Sequence, residues 1–204
     1  MVSFSELAQS VKFTRKGTVT RLNDKDSELE LIGIGRSAYA FKIRTTNKVL
    51  KVFFSPFEQV AREEAEIYKT LIDNPFYPSL YDSGDNYLVI DYIAGNTLFN
   101  CLVKGIPITS GHISEIDKAL SYATERGLNP SDIHLRNILI TPENRIKLID
   151  VARFRQMKSC SQWDDLKVAY TRFYQHWMFP KRAPKLFLNL IAILYKRNLL
   201  PSLQ

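Results

Sequence analysis

The chain has 204 residues, a hydrophobic content of 45%, a charged content of 24% and a formal net charge of +7. This length and composition predict a soluble globular protein with one sizeable core or two closely packed lobes. The two cysteines lack metal-ligand spacing and the first residues lack a signal-peptide pattern, so we expect free thiols in a reducing, cytoplasmic location rather than zinc binding, disulfides or secretion.

The positive charge is concentrated at the C-terminal end. Residues 1–150 contain 18 Lys/Arg and 19 Asp/Glu, whereas residues 151–204 contain 10 Lys/Arg and 2 Asp/Glu. Because a basic surface attracts anions, we expect an anionic partner, RNA or an acidic protein, at this end. The alternative is a solvated basic face without a partner.

The first half of the chain reads mainly as strands. Residues 4–10 fit a short helix, and alternating apolar and polar residues separated by turn residues predict the strands that follow. These strands cover a hairpin at 11–22 that turns at Lys16-Gly17, a strand from Glu30 into a glycine pair, and segments 39–44, 48–53, 80–81 and 87–93.

The glycine pair, Gly33 and Gly35, lies between two predicted strands. A dinucleotide-binding glycine motif must be followed by a helix whose N-terminus holds the pyrophosphate, and here a strand follows. The sequence has no G-x-x-x-x-G-K-[ST], which excludes a Walker phosphate loop. The interpretation that is left is a glycine-rich hairpin that lies over the phosphates of a nucleotide.

A lysine and a glutamate follow on adjacent predicted elements. Lys51 lies in an apolar strand, and Ser55-Pro-Phe-Glu58 predicts a capped helix start. Glu64 falls in the middle of the apolar stripe of that helix, and a carboxylate on an inward face is costly unless it is paired. We therefore expect a Lys51–Glu64 ion pair; the alternative is a carboxylate at the rim of the helix.

The second half of the chain predicts helices around one small hairpin. Apolar residues from Ile113 to Ala123 have helical spacing and end at Gly127, a C-cap signal. Segments 138–140 and 146–149 read as strands, and two further helices are predicted from Ser161 to about 178 and over 184–195. The last helix has an apolar run too short to span a membrane, and its basic flanks allow contact with lipid. We expect it to be a buried core helix.

Three polar residues flank the hairpin. Asp132 and Asn137 precede its first strand, and Asp150 ends its second strand, so the hairpin predicts that all three side chains lie in one cleft. Their carboxylate and amide groups suit magnesium binding and proton transfer. Turn-capping roles for the Asp and Asn are the alternative.

The ordered set of glycine pair, Lys51, Glu64, Asp132, Asn137 and Asp150 resembles the protein-kinase pattern of glycine-rich loop, lysine strand, H-R-D-L-x-x-x-x-N and D-F-G. The chain is identified as similar to small atypical bacterial serine/threonine protein kinases, with affinities to the RIO type. The resemblance implies an α+β, two-lobed fold. An N-terminal lobe, residues 1–93, would hold an antiparallel sheet and one helix, and residues 94–204 would form a shortened, mainly helical lobe.

The resemblance also implies cofactors and roles. ATP and Mg²⁺ would be required; Asp132, Lys51 and Glu64 would be catalytic, and Asn137 and Asp150 would bind the metal. A strand ending in Ile93-Ala-Gly resembles the kinase hinge. The implied nucleotide-binding residues are Gly33, Ile34, Gly35, Arg36, Ser37, Ala38, Lys51, the gatekeeper Ile90, Asp91 and Ile93.

Several departures from the kinase pattern leave the acceptor open. Ser131 replaces the Arg before the catalytic Asp, Asp150 is followed by Val-Ala, and no A-P-E segment follows. His134 replaces the usual Lys, as in aminoglycoside- and choline-type phosphotransferases, although it could simply hydrogen-bond within its loop. We therefore expect transfer to a protein hydroxyl, and keep a small-molecule kinase, a RIO-like ATPase and a nucleotide-binding pseudokinase scaffold as alternatives.

Overall fold

The structure, a computed structural model, describes residues 2–158 and 160–197, without the side chain of Lys196. The chain divides between Ile93 and Ala94 into two compact units. Within the described residues, no helix combines the length and hydrophobicity needed to cross a bilayer. Both cysteines, Cys101 and Cys160, are free thiols, as predicted.

The first unit begins with a capped helix and a separate hairpin. Helix α1 (Phe4–Ser10) starts at the N-cap Ser3, whose side chain and Glu6 form a capping box. Strands β1 (Lys12–Lys16) and β2 (Val19–Asp24) pair antiparallel around Gly17, which has a φ of +60°. Both predicted elements are confirmed.

The main sheet of this unit has five antiparallel strands. They are β3 (Leu29–Ile34), β4 (Ala38–Ile43), β5 (Lys48–Phe53), β6 (Leu80–Ser83) and β7 (Tyr87–Asp91), in the spatial order β3-β4-β5-β7-β6. Side chains alternate between the two faces of a strand. Leu50 and Val52 accordingly pack with Leu7 and Ala8 of α1 in one apolar cluster. Lys51, between them, points to the opposite face.

Helix α2 (Glu58–Thr70) supplies the partner for that opposite face. Its buried residues include Ala61, Glu64 and Ala65, at the i, i+3 and i+4 spacing of one helical face. The predicted capping box at Ser55 is wrong: the helix begins at Glu58, its N-cap is Phe57, and no side chain caps it. The S-x-x-E spacing is present, but the helix starts two residues later than the box requires.

The second unit is built on a three-stranded sheet with order β10-β9-β8: β8 (Asn96–Thr97), β9 (Ile138–Ile140) and β10 (Ile146–Leu148). Gly95, with a φ of +151°, lies so close to β9 that an added Cβ would stand 2.4 Å from the Ile140 carbonyl oxygen. Only a glycine allows this approach. The predicted hairpin of β9 and β10 is confirmed, whereas sequence reasoning did not identify β8.

Helices make up most of the remaining described residues of the second unit. Helix α3 (Leu98–Lys104), which sequence reasoning missed, is capped by Thr97. Helix α4 (Ser110–Glu125) buries Ile116 and Ala123 of the predicted apolar stripe, whereas Ile113 and Leu120 are half-buried. Helix α5 (Gln162–Ala169) continues as a π-helical turn over Tyr170–Tyr174, so the predicted helix ends before residue 178.

The last helix, α6 (Lys185–Lys196), confirms the predicted position but not the predicted burial. Leu186 is 83% exposed, and no described side chain of α6 is buried. The apolar run that predicted a core helix is therefore only partly covered by the rest of the unit.

Candidate active site

The predicted glycine-loop residues Gly33 to Ala38 span the end of β3, the turn after it and the first residue of β4. The Gly35 N–H donates to the Ala38 carbonyl at 2.8 Å and closes the turn. An added Cβ on Gly35 would lie 3.0 Å from the same oxygen, so the tight turn favours glycine there. Ala38, which replaces the third glycine of the kinase pattern, fits with its side chain buried, while Ile34 and Arg36 are exposed.

Lys51 and Glu64 form a short ion pair inside the first unit. Lys51 Nζ lies 2.8 Å from Oε1 and 2.7 Å from Oε2 of Glu64. The Glu64 side chain is fully buried and the Lys51 side chain is 16% exposed. Both carboxylate oxygens of Glu64 therefore accept from one ammonium group, which satisfies the buried charge and fixes the lysine on its strand.

The end of β7 contains the residues of the proposed hinge. Ile90 is buried. The Asp91 carboxylate accepts hydrogen bonds from the Ser79 N–H at 2.8 Å and the Tyr81 hydroxyl at 2.7 Å. The Asp91 side chain is thus held by β6 and its approach, and the hydrogen bond to its carboxylate raises the pKa of the Tyr81 hydroxyl.

Backbone hydrogen bonds also limit which N–H groups at the end of β7 are available to a ligand. The N–H groups of Asp91 and Tyr92 donate to the carbonyls of Ser79 and Asn47, at 3.3 and 3.0 Å. The Ile93 N–H has no such acceptor among the described residues. Of the hinge residues, Ile93 therefore offers the N–H donor that the strand itself does not use.

The loop before β9 places Asp132 in a left-handed conformation. Asp132 has a φ of +60°, a region in which Asp and Asn are enriched among residues other than glycine. The preceding residue, Ser131, is buried, and its hydroxyl donates to the Asn129 carbonyl at 3.0 Å. Asn129 is in turn anchored, its N–H donating to the Phe154 carbonyl at 2.6 Å. These hydrogen bonds fix the loop on the N-terminal side of Asp132.

Asn137 connects the loop to the second strand of the hairpin. Its side-chain Nδ2 donates to the Asp132 carbonyl at 3.3 Å, and its own carbonyl accepts from the Ile149 N–H at 2.8 Å. Asp150 follows Ile149 directly and has a φ of +63°. The hairpin therefore brings Asp132, Asn137 and Asp150 to one end, with two of the three in left-handed backbone.

Two basic side chains lie near the Asp132 carboxylate. His134 Nε2 is 3.9 Å from Oδ1, and Arg153 Nε is 3.9 Å from Oδ2. His134 is also held within the loop, because its Nδ1 accepts from the Arg136 N–H at 3.3 Å. Sequence reasoning missed Arg153, for which the only signal was a basic residue three positions after Asp150.

The donor set fits a magnesium ion in its chemistry. The Asn137 amide nitrogen is engaged by the Asp132 carbonyl, so the amide oxygen is the end that can accept or coordinate. The Asp150 carboxylate would be a second oxygen ligand, since Mg²⁺ is commonly bound by one or two carboxylates plus substrate phosphates and waters. Within the described residues, no group of three or more His, Cys, Asp or Glu could hold a metal by itself.

The predicted residues assemble as two groups, each within its own unit. The first unit holds the glycine turn, the Lys51–Glu64 pair and the β7 strand end; the second holds Asp132, Asn137 and Asp150 on one hairpin.

No protein-family model matches the chain. It is 45% identical over 194 residues to a Bacillus subtilis protein named "Putative serine/threonine-protein kinase YrzF", covering 94% of this chain and 90% of that protein. It is 32% identical over 152 residues to a "Probable serine/threonine-protein kinase" of Clostridium acetobutylicum, and 27% identical over 195 residues to one of Clostridium perfringens.

The match to these two clostridial proteins covers 66% and 85% of this chain but only 23% and 27% of theirs. The Bacillus relative, by contrast, is matched over nearly its whole length. The α+β architecture, with its antiparallel N-terminal sheet followed by a mainly helical unit, agrees with these similarities. The chain belongs to the serine/threonine-protein kinase family.

Proposed function

We propose that the protein is an ATP- and magnesium-dependent serine/threonine protein kinase. The observation that carries this proposal is the Lys51–Glu64 pair, in which a fully buried carboxylate holds a partly exposed ammonium group at 2.7 and 2.8 Å. A core that needed only packing would gain little from a buried ion pair. A lysine fixed in this way is what a kinase requires to bind the α- and β-phosphates of ATP.

In the first unit, the proposed nucleotide contacts are mainly from the backbone. The turn from Gly33 to Ala38 would lie over the phosphates. The Ile93 N–H, which the strand leaves unused among the described residues, would donate to the adenine ring. Ile90 would border the adenine, and Asp91 would take part through its backbone, because its carboxylate is already engaged by Ser79 and Tyr81.

In the second unit, Asp132 would accept the proton of the attacking hydroxyl. The acceptor oxygen then bonds to the γ-phosphorus while the bond to the ADP oxygen breaks. Asn137 and Asp150 would hold Mg²⁺, which when bound supplies positive charge against the phosphate oxygens. The backbone contacts that fix these residues would keep the groups in position, and positioning provides most of the catalysis in this class.

Arg153 would supply a positive charge beside the Asp132 carboxylate and the transferring phosphate. Protein kinases usually carry a Lys two residues after the catalytic Asp to meet the transferring phosphate; here His134 has that position. Arg153 brings a permanent positive charge to within 3.9 Å of the carboxylate, and a guanidinium suits phosphate geometry. Ser131, bonded inside its own loop, would not sense a phosphorylated segment, so we assign the enzyme to the kinases without the Arg-Asp pair.

The deciding experiment is incubation with labelled ATP and Mg²⁺, scoring phosphoprotein and free phosphate separately. Asp132→Asn should reduce transfer about 10²–10⁴-fold, because it removes the proton acceptor, and should leave ATP binding nearly intact. Asn tolerates the left-handed backbone at this position, so the variant should fold. Asp85→Asn is the matched control, because it neutralises an exposed carboxylate of the first unit.

Label on protein that disappears in Asp132→Asn would support the proposal. Free phosphate without labelled protein would indicate a RIO-like ATPase. ATP binding without turnover would indicate a pseudokinase scaffold and would contradict the catalytic roles. An equal loss of transfer in Asp85→Asn would also contradict the role of Asp132.

A small-molecule kinase is the second candidate, favoured by His134 in Asp-x-His-x-x-Asn. A cavity of about 230 Å³ in the second unit is bordered by residues 133–136. Among its described lining residues, the only carboxylate is that of Asp165, which accepts from the Tyr195 hydroxyl at 2.6 Å. The cavity lacks the acidic lining that a cationic substrate would require. Phosphorylation of kanamycin or choline by the purified protein would nevertheless overturn the protein-kinase assignment.

A further inference from the structure

The outward face of α6 exposes a stripe of aliphatic side chains. Leu186, Leu190 and Ile193, at i, i+4 and i+7 of the helix, are 83%, 52% and 50% exposed. This spacing places them on one face. Phe187, 54% exposed, lies at the edge of the stripe. Scattered exposed apolar residues need no explanation, but a contiguous stripe along a helix indicates a surface that something covers.

The inner face of the same helix already has its partners. Leu188, Ile191, Ala192 and Tyr195 line the cavity beside the loop that carries Asp132. The Tyr195 hydroxyl donates to Asp165 at 2.6 Å, and Asn189 accepts from Arg136 at 2.8 Å. Packing within the second unit therefore accounts for one side of α6. Among the described residues of this unit, none covers the aliphatic stripe on the other side.

The charges around α6 are of one sign. After Asp165 the sequence contains seven Lys and Arg and no acidic residue. Lys181, Arg182, Lys185 and Arg197, close to the two ends of the helix, are exposed. Across the described part of the chain, none of these four has a carboxylate partner; Arg182, for example, donates to the Val103 carbonyl. This positive charge is open to a negative surface.

We propose that α6 binds the interface of an anionic lipid bilayer, with its aliphatic stripe among the acyl chains and the basic residues at the headgroups. A helix with an exposed apolar face and Lys/Arg beside it has the pattern of an interfacial membrane helix. Each basic residue near an anionic surface adds attraction. Twelve residues make a helix of about 18 Å, which suits the plane of the interface.

Two other occupants fit less well. RNA would engage the lysines and arginines, but aliphatic side chains have no counterpart on a phosphate backbone, where basic and aromatic groups supply the contacts. In a two-fold dimer the same face would meet itself, bringing the unbalanced positive charges of both copies together. Anionic lipid headgroups would pair with the basic residues, and the acyl chains would bury the aliphatic stripe.

The test is co-sedimentation of the full-length protein with vesicles, without nucleotide, so that its outcome does not depend on phosphoryl transfer. We expect binding to vesicles of equal parts phosphatidylglycerol and phosphatidylcholine, and none to phosphatidylcholine alone. The variant Leu186→Gln/Leu190→Gln/Ile193→Gln should partition at least about tenfold less, because it removes the apolar contact. Val19→Gln/Ile72→Gln is the matched control, since both residues are exposed aliphatics of the first unit.

Far-ultraviolet circular dichroism must show that both variants keep the helix content of the parent. Absence of binding to anionic vesicles would overturn the proposal, as would full retention of binding by the triple variant. A dimer in sedimentation velocity that the triple variant dissociates would instead identify the stripe as a contact between copies. Salt-sensitive RNA binding that resists the triple substitution, without vesicle binding, would make the basic residues a nucleic-acid site.

Discussion

The two groups of candidate catalytic residues are held by different means. In the first unit, two charged side chains hold each other: Lys51 is fixed by the fully buried Glu64. In the second unit, the backbone holds the groups: Asn137 ties the Asp132 carbonyl to Ile149, and Asp132 and Asp150 both have positive φ. The Asp150 carboxylate is exposed, whereas that of Glu64 has no contact with solvent.

This contrast predicts how substitutions in each group of residues affect stability and activity. Removing one partner of a buried ion pair leaves an uncompensated charge and lowers the free energy of unfolding. An exposed carboxylate on a fixed backbone can be changed with little effect on folding, provided that the new residue accepts the backbone conformation. Stability and activity should therefore change together in the first unit and separately in the second.

The largest effect is expected for Lys51→Met, which leaves the Glu64 carboxylate buried and unpaired. The free energy of unfolding should fall by about 3–5 kcal/mol in urea titrations at pH 7. Part of that loss should be recovered as the pH is lowered, because protonating Glu64 removes the buried charge. Lys51→Met/Glu64→Leu, which replaces both charges, should be closer to the parent in stability. A single variant no less stable than the double would show that the pair is not buried in solution.

Two substitutions of Asp150 distinguish the effect of its backbone conformation on stability from the effect of its carboxylate on transfer. Asp150→Ala should lower the free energy of unfolding by about 1 kcal/mol, because alanine is disfavoured at a φ of +63°. Asp150→Asn should be nearly neutral for stability, and both variants should lose magnesium-dependent transfer. Asp73→Ala, at a φ of +59° in the first unit, should show the same stability loss with full activity. Magnesium-dependent turnover by Asp150→Asn would refute the proposed metal ligand.

The smallest effect on stability is expected for Arg153→Gln. Its contact with Asp132 spans 3.9 Å between partly exposed side chains, and such pairs contribute about 0–1 kcal/mol. If Arg153 meets the transferring phosphate, transfer should nevertheless fall at least about tenfold, because a permanent charge is lost near the reacting groups. Arg145→Gln, which breaks a comparable exposed pair with Glu115, should leave transfer unchanged. Equal activity of the two variants would remove Arg153 from the mechanism.

Local patterns in the sequence predicted most of the elements of the fold. Alternating side chains located the strands of the main sheet, and the apolar neighbours of Lys51 together with the stripe around Glu64 predicted a pair that the structure contains. The order of Asp132, Asn137 and Asp150 around a short hairpin predicted one shared cleft; the hairpin brings their backbone to one end, and the cleft stays a prediction. The patterns that located the strands and the ion pair each depend on a period or a turn within a few tens of residues.

The failures depend on information that is not local. The Ser55–Glu58 spacing matches a capping box, but the helix begins only at Glu58. The apolar run of α6 is the same whether a helix is covered on one side or on both, so its exposed stripe could not be read from the pattern. Arg153 lies 3.9 Å from Asp132 across the hairpin, although the two residues are 21 positions apart in a sequence that carries no pattern linking them.

The guanidinium of Arg136 joins three parts of the second unit. It lies 3.5 Å above the Phe99 ring of α3, donates to Asn189 of α6 at 2.8 Å, and belongs to the residue directly before Asn137. The Arg136 side chain therefore links α6 to the residue directly before Asn137, the proposed metal ligand. If α6 docks on a bilayer as proposed, we expect vesicles to change the rate of phosphate transfer, and we expect Asn189→Ala, which removes the acceptor of the Arg136 hydrogen bond, to reduce that change.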